Sequence, residues 1–265
     1  MRKYIGIFKN YLATSLEYRT NFFGTILNEI VSIIVVVILW ISVFRTNGTI
    51  AGYTFSDTIL YYFLAPLVGF ISHTQIAQVI GDDVKDGSLS NKLVKPIRVW
   101  PYYFFQALAG KVSTIVTIVP LYLLILVIGT KILGTDPIQF IPLLFGFFFG
   151  LFGFLLNFVI DLSLGSLAFF LHDIWWFKHF KAFIIGILAG ISFPLDFIPE
   201  AIRNVVLLLP FKFMYYTPIQ YIVGKQSLGN ITGDLALISF WLLIIYFGGR
   251  VLWRRGVTKY EAFGN

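Results

Sequence analysis

The chain contains no cysteine, which excludes disulfides, thiolate metal sites and cysteine nucleophiles. Charge is scarce as well. Only 12% of the 265 residues are Asp, Glu, Lys or Arg, against about a quarter in soluble domains, while 58% are hydrophobic and mean hydropathy is +0.83. These values describe an integral membrane protein. Apolar spans and short connections consume almost the whole length, so 1–265 is expected as one transmembrane domain with no soluble domain beside it. Histidines are few, and His73, His172 and His179 are too scattered to suggest a metal site. A phosphate-binding loop is missing: Gly110-Lys111-Val112-Ser113 lacks the required glycine at Phe105 and a Ser or Thr at Val112. ATP hydrolysis, catalytic residues, bound cofactors and metals are therefore not expected in this chain.

What charge there is has a pattern. The net charge of +7 sits at the ends of apolar runs, as positive-inside topology requires, and gives no reason to expect a nucleic-acid partner. The first apolar run, Phe22 to Phe44, is too long for a signal-peptide core and is expected to stay as an anchor. Further spans are expected near Thr58–Ile80, Tyr102–Ile128 (with Lys111 and Pro120 inside), Phe140–Leu171, from Ala182, and Asp234–Trp253. Residues 1–20 place Ile5, Phe8, Leu12 and Leu16 on one helical face, which predicts a helix lying on the membrane surface. With both termini inside, fourteen of the 20 lysines and arginines fall on inner segments and five on outer ones. The expectation is six crossings, with both ends cytoplasmic.

Two stretches interrupt this frame. Residues 81–101, GDDVKDGSLSNKLVKPIRVWP, hold Asp82, Asp83, Lys85, Asp86, Lys92, Lys95 and Arg98, which forbid burial in lipid. Val84, Leu89, Leu93, Val94 and Ile97 recur near helical spacing, and Gly87 and Pro96 punctuate the ends of the short amphipathic helix this predicts, one that docks a partner. In residues 194–224, Pro194, Pro199, Pro210 and Pro218 together with Asp196 and Glu200 divide an apolar region into pieces too short to cross. These pieces are expected to be re-entrant helices on the outer side.

Ionisable groups inside spans are costly and default to functional candidates. Glu29, Lys111 and Asp161 are expected at one depth, as a cluster that braces the inner half or lines a cavity. Gly146-x-x-x-Gly150 with Gly153, and Gly186-x-x-x-Gly190, offer small faces for close helix packing.

The chain resembles the ABC-2 type permeases, the membrane subunits of ABC exporters whose ATPase is a separate protein. The resemblance rests on several stretches in order. Glu17-Tyr18-Arg19 with Asn21-Phe22 is similar to the start of that family's first span. Asp83-Val84-Lys85-Asp86-Gly87-Ser88-Leu89 followed by Leu93-Val94-Lys95-Pro96-Ile97 is similar to its cytoplasmic loop. Pro194-Leu195-Asp196-Phe197-Ile198-Pro199 with Leu209-Pro210-Phe211, Pro218 and Gly224 is similar to its re-entrant segment. Gly256-Val257-Thr258-Lys259-Tyr260-Glu261-Ala262 is similar to its C-terminal signature. The resemblance implies an all-α permease with a coupling helix between spans two and three and re-entrant helices between spans five and six. It also implies an ATPase partner carrying ATP and Mg2+, a second permease identical or similar to this one, and location in a bacterial plasma membrane. An aromatic interior suggests an amphipathic, drug-like or lipid-like cargo.

Two alternatives compete. Glu29, Lys111 and Asp161 as an ion relay would make the chain a secondary transporter or channel, although clear internal repetition is missing. Asp82, Asp83 and Asp86 offer oxygen ligands of the kind Mg2+ takes, as in membrane phosphatidyl transferases, but the rest of that motif is absent.

Overall fold

The computed structural model of the chain describes residues 2–17, 20–46, 48–134, 139–171 and 174–260. Among them are twelve α-helices, and the only strand-like pairing is an isolated bridge between Ile50 and Tyr53. Helix α1 spans Arg2–Glu17 and α2 Thr20–Phe44. Helices α3 (Phe55–Ser72) and α4 (Ile76–Lys85) follow, then the single turn α5 (Leu89–Leu93). Next come α6 (Val99–Thr117), α7 (Val119–Leu133) and α8 (Phe140–Gly165). The chain closes with α9 (Trp175–Leu188), α10 (Glu200–Val206), α11 (Tyr216–Ile222) and α12 (Ile231–Val257).

Four helical stretches are long and apolar enough to cross a membrane: 23–44, 55–72, 140–169 and 228–257. A fifth passage is available if α6 and α7, bent by 44° at Ile118, act together. Pro120 explains that bend, because it lacks an N–H and its ring displaces the carbonyl of Val116. The expected second span is not one helix. It stops at Ser72 and restarts at Ile76. The expected fifth span is α9, whose 14 residues reach about 21 Å, short of the ~30 Å hydrocarbon core.

Helix α8 is the centre of the bundle, packed by α3, α4, α11 and α12. Its glycines make this possible. A Cβ on Gly150 would lie 3.1 Å from Ile71, and one on Gly153 only 2.8 Å from the Phe213 carbonyl oxygen. Gly146 meets Ile222 and the Pro218 carbonyl in the same way. The first glycine motif is thus a packing face. In the second, Gly190 (φ +84) turns the chain after α9 against Tyr61, while Gly186 has only Ser192 within reach.

These contacts also trace the path of residues 194–224. Phe213 meets α8 at Gly153, about 20 Å from the start of that helix at Phe140, whereas Pro218 and Ile222 meet it at Gly146. The chain therefore dips from Pro199 through α10 to the 3₁₀ turn at Pro210–Met214 and climbs back along α11. The prolines suit this path. Pro199 caps α10, Pro210 opens the 3₁₀ turn, and Pro218 sits in the first turn of α11, where its missing N–H has no helical partner to lose.

Helix α1 packs along α6, with Tyr4 stacked on Phe105 and the Tyr11 and Tyr102 hydroxyls 2.6 Å apart. Of the expected apolar face, Phe8, Leu12 and Leu16 are partly covered while Ile5 is 46% exposed, and Tyr4, Ile7 and Tyr11 join the covered side because the tyrosines pair with the aromatic start of α6.

Replacing Gly153 by Val should lower thermal stability by roughly 1–3 kcal/mol or prevent folding, since backbone atoms of the re-entrant turn cannot yield. Gly110→Ala, where nothing lies within 4 Å of an added Cβ, should be neutral or stabilise by up to about 1 kcal/mol. Thermal melts of the two purified variants check both.

Candidate functional site

A helix that ends among buried apolar side chains leaves carbonyls and N–H groups without partners, and an apolar interior supplies none. The break between α3 and α4 is satisfied by two buried ions of opposite sign. Lys111 on α6 donates to the carbonyls of Phe70 (2.8 Å) and His73 (2.6 Å) at the end of α3. Asp161 on α8 accepts from the Thr74 hydroxyl (2.5 Å) and the Ile76 N–H (3.0 Å) at the start of α4. A cation at the helix C-terminus and an anion at the N-terminus match the helix dipole. The second oxygen of Asp161 takes Lys181 of α9 at 2.5 Å, with both side chains nearly sealed from solvent at 1% and 10% exposure.

The expected Glu29/Lys111/Asp161 cluster is therefore not formed. Lys111 and Asp161 flank one break but serve different backbone ends, and the ion partner of Asp161 is Lys181. Glu29 stands on α2 in a cavity shared with His73 and Tyr215, and among the described residues it has no hydrogen bond or ion pair. Lys181 escaped the sequence analysis, although a signal was present: Asp161 and Lys181 lie at similar distances before and after the connection at 166–174, so antiparallel helices bring them level.

The stretch at 81–101 forms a compact turn around α5. The Asp86 carboxylate accepts from the Ser88 N–H (2.9 Å), which holds Asp86 below the usual carboxylate range. Gly87 supplies a positive φ of 80°, and the Ser90 hydroxyl donates to its carbonyl. Asp83 accepts from Ser88 (2.8 Å) and Tyr103 (2.6 Å) and pairs with Lys92, whose ammonium also lies over Tyr102 and Tyr103. Helix α5 is thus only five residues long. Leu89 is fully buried in a cluster with Tyr103, Trp253 and Tyr260, so it anchors the turn to its own protein rather than to a partner. The outward apolar groups are Leu93 (36% exposed) and Val94 (87%), continued by exposed Lys95 and Pro96. Asp82 and Lys85 are exposed on the last turns of α4. Lys3 of α1 donates to the Pro96 carbonyl, and Tyr4 accepts from the Arg98 N–H.

On the opposite side, Asp196 accepts from Tyr53 (2.6 Å), Tyr216 (3.0 Å) and Gln220 (3.3 Å), with Arg203 at 3.8 Å. Asp234 accepts from Lys212 (2.9 Å), Tyr221 (3.1 Å) and Gln226 (3.0 Å). These two carboxylates tie the re-entrant segment to the α3 approach and to α12. Pro194 is buried beside Leu195, whereas Pro199 and Glu200 face outward. Tyr53, Gln220 and Asp234 carried no motif and were not legible beforehand.

The family described as ABC-2 family transporter protein matches residues 30–264, nearly the whole chain. The chain belongs to that family. No curated protein and no solved structure matches it. It is accordingly the permease subunit of an ABC transporter, a multi-pass membrane protein that works with an ATPase. ABC-2 permeases are membrane subunits and normally non-catalytic.

Two of the stretches that carried the resemblance meet in space. The Ser90 and Tyr260 hydroxyls lie 3.4 Å apart, and Gly256 gives Phe169 the room that lets Tyr260 set its edge on that ring. Tyr260 therefore buttresses the turn at 86–90. Glu17 ends α1 exposed, and Tyr18, Arg19, Glu261 and Ala262 lie outside the described residues.

Asp161→Ala leaves Lys181, the Thr74 hydroxyl and the Ile76 N–H without their acceptor and should cost about 3–5 kcal/mol, a loss that Lys181→Met in the same chain partly restores. A double-mutant cycle on thermal stability should give coupling above about 1 kcal/mol for Asp161 with Lys181, and under about 0.5 kcal/mol for Asp161 with Lys111.

Proposed function

We propose that this ABC-2 permease is one half of an exporter, crossing the membrane six times with both termini in the cytoplasm of a bacterial cell. In this reading α9 and its continuation toward Pro194 make the fifth passage. The turn at 81–101 is the coupling element, received by an ATPase that carries ATP and Mg2+. The permease pairs with a second copy or a similar chain, and an amphipathic cargo passes between the halves, capped outside by the re-entrant segment. The observation that carries the proposal is the exposed run Leu93-Val94-Lys95-Pro96 on a turn whose base is locked by Asp83 and Leu89. Apolar anchors ringed by charge suit a small docking contact. Helix α4, ten residues or about 15 Å long, then links that contact rigidly to the break at 73–75. The ion-relay alternative draws less support, because Lys111 and Asp161 are committed to backbone groups and Lys181.

Affinity purification of the tagged chain in mild detergent should recover an ATP-binding subunit. Leu93→Asp with Val94→Asp should reduce that recovery at least about tenfold while leaving the permease folded. Unchanged recovery from a folded double variant would remove the coupling role of this turn.

A further inference from the structure

The groove beside α2 stands out because it holds a carboxylate without a counter-charge among the described residues. Helix α2 leans on α3, and among the residues described in its long apolar run only Ile33 is buried. Between α2, α3 and the segment after α9 lies a cavity of about 420 Å³ whose wall includes Glu29, Tyr62, Phe70, His73 and Tyr215. A second cavity, also about 420 Å³, shares Val36, Tyr62 and Ser192 with it and adds Trp40, Phe193 and Phe197. The two form one groove with a carboxyl at the inner end and aromatic rings beyond.

Glu29 lies about 14 Å along α2 from Thr20, deeper than a lipid headgroup amine sits. A carboxylate there needs a cation or water to offset its desolvation. The nearby ammonium groups are already engaged, Lys111 by the carbonyls of Phe70 and His73 and Lys181 by Asp161. We propose that this groove binds an amphipathic cation, with Glu29 as counter-ion and the aromatic walls holding the apolar body. Tyr62, Phe70 and Trp40 offer ring faces that attract a desolvated positive charge. The inference rests on the permease reading above and names the class of its cargo. The ligand is a free molecule with one positive charge rather than a membrane lipid.

The test uses the complete transporter in phosphatidylglycerol nanodiscs without nucleotide, with radiolabelled tetraphenylphosphonium as the probe. Wild type should bind it saturably. Glu29→Gln should weaken binding about tenfold or more, while Glu29→Asp retains it. Val36→Trp, which fills the groove where the two cavities join and leaves the carboxylate in place, should abolish it. The anion tetraphenylborate, of nearly the same shape, should not compete. Binding that survives Glu29→Gln unchanged, or competition by tetraphenylborate as effective as by the cation, would overturn the proposal. So would loss of the signal when phosphatidylethanolamine is added, because a lipid amine would then be the occupant. Absence of saturable binding in wild type would also overturn it, and would leave recovery of the ATPase unaffected, so the two readings fail separately.

Discussion

A backbone break in the middle of an apolar bundle is the constraint on which the structure depends. Between Ser72 and Ile76 the second span gives up its helical hydrogen bonds, and without compensation the exposed carbonyls and N–H groups would each cost several kcal/mol. The compensation comes from three other helices. Lys111 of α6 takes the carbonyl end, Asp161 of α8 takes the amide end, and Lys181 of α9 balances Asp161. One irregular segment thus fixes the relative positions of α3, α4, α6, α8 and α9. The pair Asp161–Lys181 is less a source of net stability than a requirement for placing an anion there at all.

The same device recurs wherever the chain leaves regular structure. Asp83 gathers Ser88, Lys92 and Tyr103 around the turn at 86–90. Asp196 gathers Tyr53, Tyr216 and Gln220, and Asp234 gathers Lys212, Tyr221 and Gln226, around the re-entrant segment. In a chain with so few charges, four carboxylates hold the non-helical parts, and the glycines of α8 let the re-entrant backbone sit close enough to be held. Helix α4 connects two of these nodes, the turn at 86–90 and the break, with no irregular segment between them.

Much of this was legible in the sequence, for identifiable reasons. Apolar run length located α2, α8 and α12, and proline spacing located the short helices α10 and α11. Gly87 marked the start of the short helix α5, and it stands there at a positive φ. The break was not legible. Residues 73–75, His-Thr-Gln, carry neither glycine nor proline, so nothing local announces a helix end. It exists because Lys111 and Asp161, distant in sequence, satisfy it. Depth counting brought those two residues to one level correctly and paired them wrongly, because a one-dimensional count shows level and not azimuth. Leu89 was misread for a related reason: amphipathic spacing shows that one face is apolar and not whether its own protein covers it.

The account is tested most directly by proline at Ala77. In the structure Ala77 lies in the first turn of α4, and its N–H makes no backbone hydrogen bond across the break. Thermal stability of Ala77→Pro should be compared with that of Ala109→Pro, a buried interior position of α6. If the second span is broken as described, Ala109→Pro loses about 3 kcal/mol or more and Ala77→Pro only a small fraction of that. Equal losses at the two positions would mean that the helix runs through residues 73–77 unbroken, and would contradict the role given to Lys111 and Asp161.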